Sequence, residues 1–162
     1  TSEIDVKEPV SFNADGTYVV SGGTGALGLL FAKWMAEKGA TKFHLLSRSG
    51  KVAEDSTAAF DAIKDKATVA VCDIGSAKGV EDLMKQLKKE GVSVRGFMHA
   101  AGTLDDHLIK DLERKHFENV CSAKIDGTLN LHKAADGCKG LDTFVLFSSV
   151  AAMIGTAGQA NY

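Results

Sequence analysis

Thr17-Tyr18-Val19-Val20-Ser21-Gly22-Gly23-Thr24-Gly25-Ala26-Leu27-Gly28 is the stretch that decides the fold. Its first four residues are β-branched or aromatic, the composition of a short buried strand. Gly23, Gly25 and Gly28 then satisfy G-x-G-x-x-G. An apolar helix is predicted over 29–38, with Gly39 just past its end. Strand, glycine turn and helix in that order give the motif its meaning. Glycine lets the backbone come close to a pyrophosphate, and the helix N-terminus offers unpaired N–H groups at the positive end of its dipole. Gly22, Gly23, Thr24, Gly25, Leu27 and Gly28 are therefore candidate dinucleotide-binding residues. No G-x-x-x-x-G-K-[ST] occurs, which excludes a P-loop.

Working outward, further strands are predicted over 43–47, 68–72, 94–99 and 144–147, and further helices over 56–65, 80–90 and 114–135. The third helix carries Val80, Leu83, Met84 and Leu87 on one stripe. In the long helix, Phe117, Val120, Ile125, Leu129 and Leu131 are candidate buried positions. Five strands alternating with helices predict an α/β fold: a Rossmann-like doubly wound parallel sheet, order 3-2-1-4-5, helices on both faces, its C-terminal strands missing. Residues 1–16 are a polar, aperiodic lead-in closed by the turn Asn13-Ala14-Asp15-Gly16, and 17–162 form the domain. A sheet that stops at its fifth strand leaves unpaired N–H and C=O groups and uncovered apolar surface, so aggregation or dependence on a partner is expected.

Composition narrows the classes. The 162 residues correspond to one domain, and 44% hydrophobic with 25% charged residues rules against disorder. A net charge of −2 argues against a nucleic-acid binder. Cys72, Cys121 and Cys138 form no C-x-x-C, so reduced thiols in a cytoplasmic protein are expected, without a disulfide framework or zinc site. Thr1-Ser2-Glu3-Ile4-Asp5 shows no basic n-region or apolar core, so no signal peptide is expected in this stretch. Residues 143–162 carry no charge, yet Ser148, Ser149, Thr156, Gln159 and Asn161 make them too polar for a membrane span; a strand and loop are expected.

The cofactor follows from the end of the second strand. Enzymes that use NAD place an acid there, about 20 residues beyond the glycine motif, to accept from the ribose 2′-OH. Here Ser47 and Arg48 occupy the place and no acid precedes them. A guanidinium pairs with a 2′-phosphate, so NADPH is predicted over NADH. Asp73 and Ile74 end the third strand where an adenine would lie, and the small Ala100, Ala101 and Gly102 follow the fourth.

Carbonyl reduction also needs an acid for the developing alkoxide and a group that orients the carbonyl. A tyrosine has an ordinary pKa of about 10 and becomes a useful acid near neutrality only when a cation stabilises its anion. Tyr162, Lys124 and Ser149 supply phenol, ammonium and a hydroxyl for the substrate oxygen. Ser149 sits in no G-x-S-x-G, so a serine hydrolase is unsupported. His44, His99, His107, His116 and His132 form no H-E-x-x-H or Cys/His motif; hydrogen-bonded structural roles and no metal are predicted.

These stretches together resemble the short-chain dehydrogenase/reductases, and within them the ketoreductase domains of modular polyketide and animal-type fatty acid synthases. The resembling segments include Ser21 to Gly28, Leu45-Leu46-Ser47-Arg48-Ser49-Gly50, Cys72-Asp73-Ile74, His99-Ala100-Ala101-Gly102, Lys124-Ile125-Asp126-Gly127, Phe147-Ser148-Ser149 and Gly158-Gln159-Ala160-Asn161-Tyr162. Placement of the lysine on the long helix, upstream of the tyrosine, is the synthase arrangement; the asparagine that accompanies it there falls beyond Tyr162. The resemblance implies reduction of a β-ketoacyl thioester, held on the phosphopantetheine arm of an acyl carrier protein, to the β-hydroxyacyl thioester, within a polypeptide carrying other synthase domains. Leu104-Asp105-Asp106 resembles the motif of B-type enzymes, and no Trp lies between Ser149 and Tyr162 where A-type enzymes have one, which implies a D-configured alcohol. Two alternatives stand beside this: a catalytically incomplete NADP-binding scaffold, and a stand-alone short-chain carbonyl reductase.

Overall fold

The decisive stretch forms strand β1 (Thr17–Ser21), buried along its whole length, and helix α1 (Ala26–Glu37), joined by the glycine turn. The computed structural model describes residues 10–162. Strands β2 (Lys42–Ser47), β3 (Ala67–Val71), β4 (Val94–His99) and β5 (Thr143–Leu146) complete one parallel sheet in the order β3-β2-β1-β4-β5, as the alternation of elements predicts. Between them run α2 (Thr57–Asp61), α3 (Ala77–Lys89), α4 (Arg114–Cys121) and α5 (Gly127–Asp136), and α6 (Ala151–Ile154) follows β5.

Alternation along each strand splits the core in two. Tyr18, Val20, Phe43, Leu45 and Met98 face α1, where Leu29, Ala32 and Met35 meet them. Val19, Leu46 and Phe97 point to the other face, against Val80 and Leu87 of α3 and Leu131 of α5. Period-2 strands with apolar residues on both faces are what a parallel sheet covered by helices demands. Among the described residues no helix is long and apolar enough to cross a membrane.

Four expectations need correction. The helix over 56–65 is broken into a 3₁₀ turn (Glu54–Ser56), the five-residue α2 and a second 3₁₀ turn (Lys64–Lys66). Its buried Ile63 turns into the core, and i→i+3 bonds such as Ile63 N to Phe60 O tighten the backbone there. The long helix is interrupted by a π-helical segment, Ser122–Asp126, between α4 and α5. Of its five apolar candidates only Val120 and Leu131 are buried; Phe117, Ile125 and Leu129 are exposed. At roughly 100° per residue Leu129 and Leu131, both in α5, lie about 160° apart around the helix. Apolarity misled there, and His116 and Gly127 occupy the buried face instead. Of the lead-in, positions 1–9 lie outside the described residues, and Phe12 packs edge-on against Tyr18 and Trp34 at 5.3 and 5.6 Å. Finally, the segment after β5 contains the short α6.

The glycine turn has almost no slack. A Cβ on Gly28 would stand 2.4 Å from the Gly22 carbonyl oxygen and 2.8 Å from Gly23 Cα, both backbone atoms. Gly28→Ala is expected to destabilise the domain by about 1–3 kcal/mol, the usual range for overpacking. A urea titration measures this, and an unchanged midpoint would mean that the turn yields freely.

Candidate functional site

In open α/β sheets ligands bind beyond the carboxyl ends of the strands, where the strand order reverses. That point here lies between β1 and β4, and a cavity of about 440 Å³ opens there. Gly22, Gly25, Ser47, Arg48, Asp73, Ile74, Ala100, Ala101 and Gly102 all line it. The sequence prediction missed Thr103, Asn119, Ser122 and Ala123, which line it as well. Thr103 comes from the loop after β4, Asn119 from the last turns of α4, and Ser122 and Ala123 from the π segment.

The remaining glycine-motif residues do a different job. Gly23 has its α-carbon side against Leu45 Cα, where a Cβ would come within 2.8 Å, and Gly28 closes onto Gly22. Neither lines the cavity; they let strand, turn and helix pack. Thr24 is buried and Leu27 is exposed, both outside the lining. By contrast, a Cβ on Gly25 would meet nothing nearer than the Gly22 oxygen at 3.5 Å. Gly25 is also the N-cap of the twelve-residue α1, with no side-chain cap and no acid in the first turn. This leaves that terminus positive and open to an anion.

Arg48 is exposed at the rim, with Nη2 3.5 Å from Thr103 Oγ1, too long a contact to hold it firmly. Asp73 Oδ1 accepts from Gly75 N at 3.0 Å. Ile74 has its side chain in the core beside Gly127.

The π segment carries Lys124. Widening the helix by one residue per turn re-aims a side chain, a common device at functional sites. Lys124 Nζ donates to the Phe147 carbonyl at 3.2 Å, just past β5. Its stem lies where a side chain on Gly102 would be: a Cβ there would be 3.1 Å from Lys124 Cε and 3.4 Å from Nζ. Glycine at 102 therefore makes room for the lysine as well as lining the cavity. Ser149 accepts from Ala151 N at 3.2 Å, and Tyr162 closes a turn by donating its N–H to Gln159 O at 3.0 Å. Among the described residues no hydrogen bond joins the side chains of Lys124, Ser149 and Tyr162. Beneath them His99 is buried, its Nδ1 2.6 Å from Ser21 Oγ; burial first, and the Lys124 charge second, hold its pKa below the ordinary imidazole value.

Leu104, Asp105 and Asp106 leave the cavity as a loop, with Leu104 exposed. Asp105 accepts from Asn119 Nδ2 at 2.9 Å, which most of all holds its pKa below the usual carboxylate value, and its Oδ1 lies 2.9 Å from His107 Nε2. His107 and His116 stack at 3.8 Å with ring planes 13° apart. Asp105, His107 and His116 thus bring ligand-type atoms within 4.8 Å of one another, a grouping that motif spacing did not reveal. His107 Nε2 is paired with Asp105, and His116 Nδ1 accepts from Glu113 N at 3.1 Å. The group is built as a hydrogen-bonded hub.

Comparison with known proteins agrees with this geometry. The family model described as KR domain matches residues 16–162. Highly-reducing polyketide synthase 1 of Aureobasidium melanogenum is 38% identical over 159 residues, covering 96% of this chain and 7% of the relative. Phenolphthiocerol synthesis polyketide synthase type I Pks15/1 of Mycobacterium bovis is 39% identical over 153 residues, covering 92% and 7%. Among solved structures, an N-terminal ketoreductase from the macrolactin assembly line superposes with a TM-score of 0.85 at 33% identity, over 97% of this chain and 33% of that one. An A-type ketoreductase from a modular polyketide synthase gives 0.79 at 32% identity, over 91% of this chain and 31% of that one. The chain thus spans about 7% of its synthase relatives and about a third of the solved ketoreductases. A family model matched from the first turn to the last residue, on a sheet and cavity of this form, leads to one conclusion: the chain belongs to the KR domain family, the ketoreductases of polyketide synthases.

Proposed function

We propose that this KR domain uses NADPH to reduce the β-keto group of an acyl thioester, carried by an acyl carrier protein in the cytoplasm, to the D-configured β-hydroxy thioester. The observation that carries the reading is a cavity lined by Arg48 and Gly102, with the Lys124 amine beside Gly102. The donor set suits a dinucleotide phosphate. Arg48 would hold the 2′-phosphate, assisted by Ser47, and Asp73 with Ile74 would flank the adenine. Gly22 and Gly25, at the uncapped N-terminus of α1, would take the pyrophosphate, with Ala100, Ala101 and Gly102 along the remaining wall. NADPH, when bound, supplies the hydride.

The chain's own residues would manage the proton. Ser149 Oγ orients the ketone oxygen, Tyr162 Oη releases a proton to it as negative charge develops, and the Lys124 ammonium stabilises the resulting phenolate. The Leu104-Asp105-Asp106 loop favours the D product by its likeness to B-type enzymes. Consumption of NADPH with a β-ketoacyl N-acetylcysteamine thioester tests the reading, on the ketoreductase domain that contains this chain, with chiral chromatography of the product. Turnover to the D-hydroxy thioester is expected. An L product would remove the B-type assignment, and reduction of free ketones with no use of the thioester would favour a stand-alone carbonyl reductase.

A further inference from the structure

Resting on that reading, we infer that the Leu104–His107 loop acts on the reaction through Tyr162, with Asp106 and Asn161 as positioning residues and neither carboxylate of the loop touching the substrate. Both carboxylates are already engaged. Asp105 gives one oxygen to Asn119 and the other to His107, while both oxygens of Asp106 accept from Gln159 Nε2, at 3.2 and 3.1 Å. The loop and the segment leading to the tyrosine form one unit. His107 N donates to Gly158 O at 2.8 Å, and His107 and Gln159 pair as a parallel bridge. Tyr162 N in turn donates to Gln159 O.

Asn161 fastens that unit from inside. It is 7% exposed, and its Nδ2 donates to Asp105 O at 2.7 Å and to His116 O at 3.2 Å. Both partners only accept, so the amide can sit one way round. Its Oδ1 is buried without a hydrogen-bond partner among the described residues, a strained arrangement kept for the sake of the two donated bonds. Next in the chain stands Tyr162. A residue whose donor reaches both the loop after β4 and the first turn of α4 fixes the backbone from which the phenol projects, and small misplacements of a reacting group are costly.

Four variants of the ketoreductase domain containing this chain test the inference: Asn161→Leu, Gln159→Glu, Asp106→Asn and the double variant of the last two. Asn161→Leu keeps the shape and removes the donor; kcat is expected to fall roughly a hundredfold with the KM values for thioester and NADPH little changed. Gln159→Glu sets two carboxylates face to face, and a loss of roughly tenfold in kcat is expected. Adding Asp106→Asn to Gln159→Glu restores a donor–acceptor pair with its polarity reversed, and should recover most of the rate with the product configuration unchanged. Hydrogen exchange over 158–162 should speed up in Asn161→Leu and Gln159→Glu and slow again in the double variant, whether or not the thioester turns over. Failure of the wild type to reduce the thioester would thus count against the proposed function, and exchange would still decide the inference. The surface pair also decides if Asn161→Leu does not fold. A double variant that recovers neither rate nor protection, or an Asp106→Asn variant that inverts the product or raises KM with kcat intact, would overturn it and put the carboxylate on the substrate.

Discussion

Tyr162→Phe lowers kcat by roughly 10²–10⁴-fold, the range for a lost general acid, while the KM for the thioester changes little. The ring and its packing survive the substitution and only the proton is lost. Lys124→Met is the companion variant, because its unbranched chain keeps the packing along Gly102 and removes the charge. Without the ammonium, the phenolate left by proton transfer has no cation to stabilise it, and releasing the proton becomes harder. Lys124→Met is therefore expected to lower kcat while cofactor binding is retained, as steady-state kinetics and a cofactor titration would measure. A Tyr162→Phe enzyme that keeps more than about a tenth of the wild-type kcat would remove the phenol from the chemistry. A kcat in Lys124→Met equal to that of the wild type would separate the lysine from the tyrosine and leave it a tether to the Phe147 carbonyl.

The sheet was legible because each strand carries its own proof. Tyr18-Val19-Val20, Leu45-Leu46 and Phe97-Met98 are apolar runs that end in polar or glycine-containing segments, and the period of two leaves few registers open. The helices were less so. The 114–135 stretch reads as one helix because a π segment has no compositional mark; the π turn accompanies the reach of Lys124 to the Phe147 carbonyl just past β5. The same stretch shows why apolar residues cannot be counted as buried one by one: Leu129 and Leu131 differ only in phase, and only Leu131 is buried.

The cavity was half visible. Arg48, Asp73 and the Ala100-Ala101-Gly102 run stand at strand ends, where position in the fold assigns them a place regardless of side chain. The motif glycines were legible as a group but not individually: Gly22 and Gly25 line the cavity, while Gly23 and Gly28 serve packing. What no pattern could supply were contacts between segments distant in sequence. Asn161 meets Asp105 and His116 across 56 and 45 residues, and Gln159 meets Asp106 across 53. Such pairings depend on how the loops pass one another, which neither spacing nor propensity encodes.

Arg48→Ala separates the two nicotinamide cofactors. Its guanidinium is exposed, and its contact with Thr103 is too long to restrain it, so it is free to turn toward a phosphate at the rim. Charge-assisted bonds to phosphate are stronger than neutral ones, and their loss should weaken NADPH roughly 30-fold. NADH, lacking the 2′-phosphate, should change by less than about twofold. Raised ionic strength should erode the wild-type preference, because an exposed pair is screened within about 10 Å at 0.1 M salt. Arg48→Asp carries the test further. A carboxylate at the end of β2 repels the phosphate and accepts from a ribose hydroxyl, so the preference should turn toward NADH. Fluorescence titration with each cofactor measures both variants. Equal weakening of the two by Arg48→Ala would show that the arginine grips something they share, such as the pyrophosphate, and the choice of cofactor would then have to come from another residue at the rim.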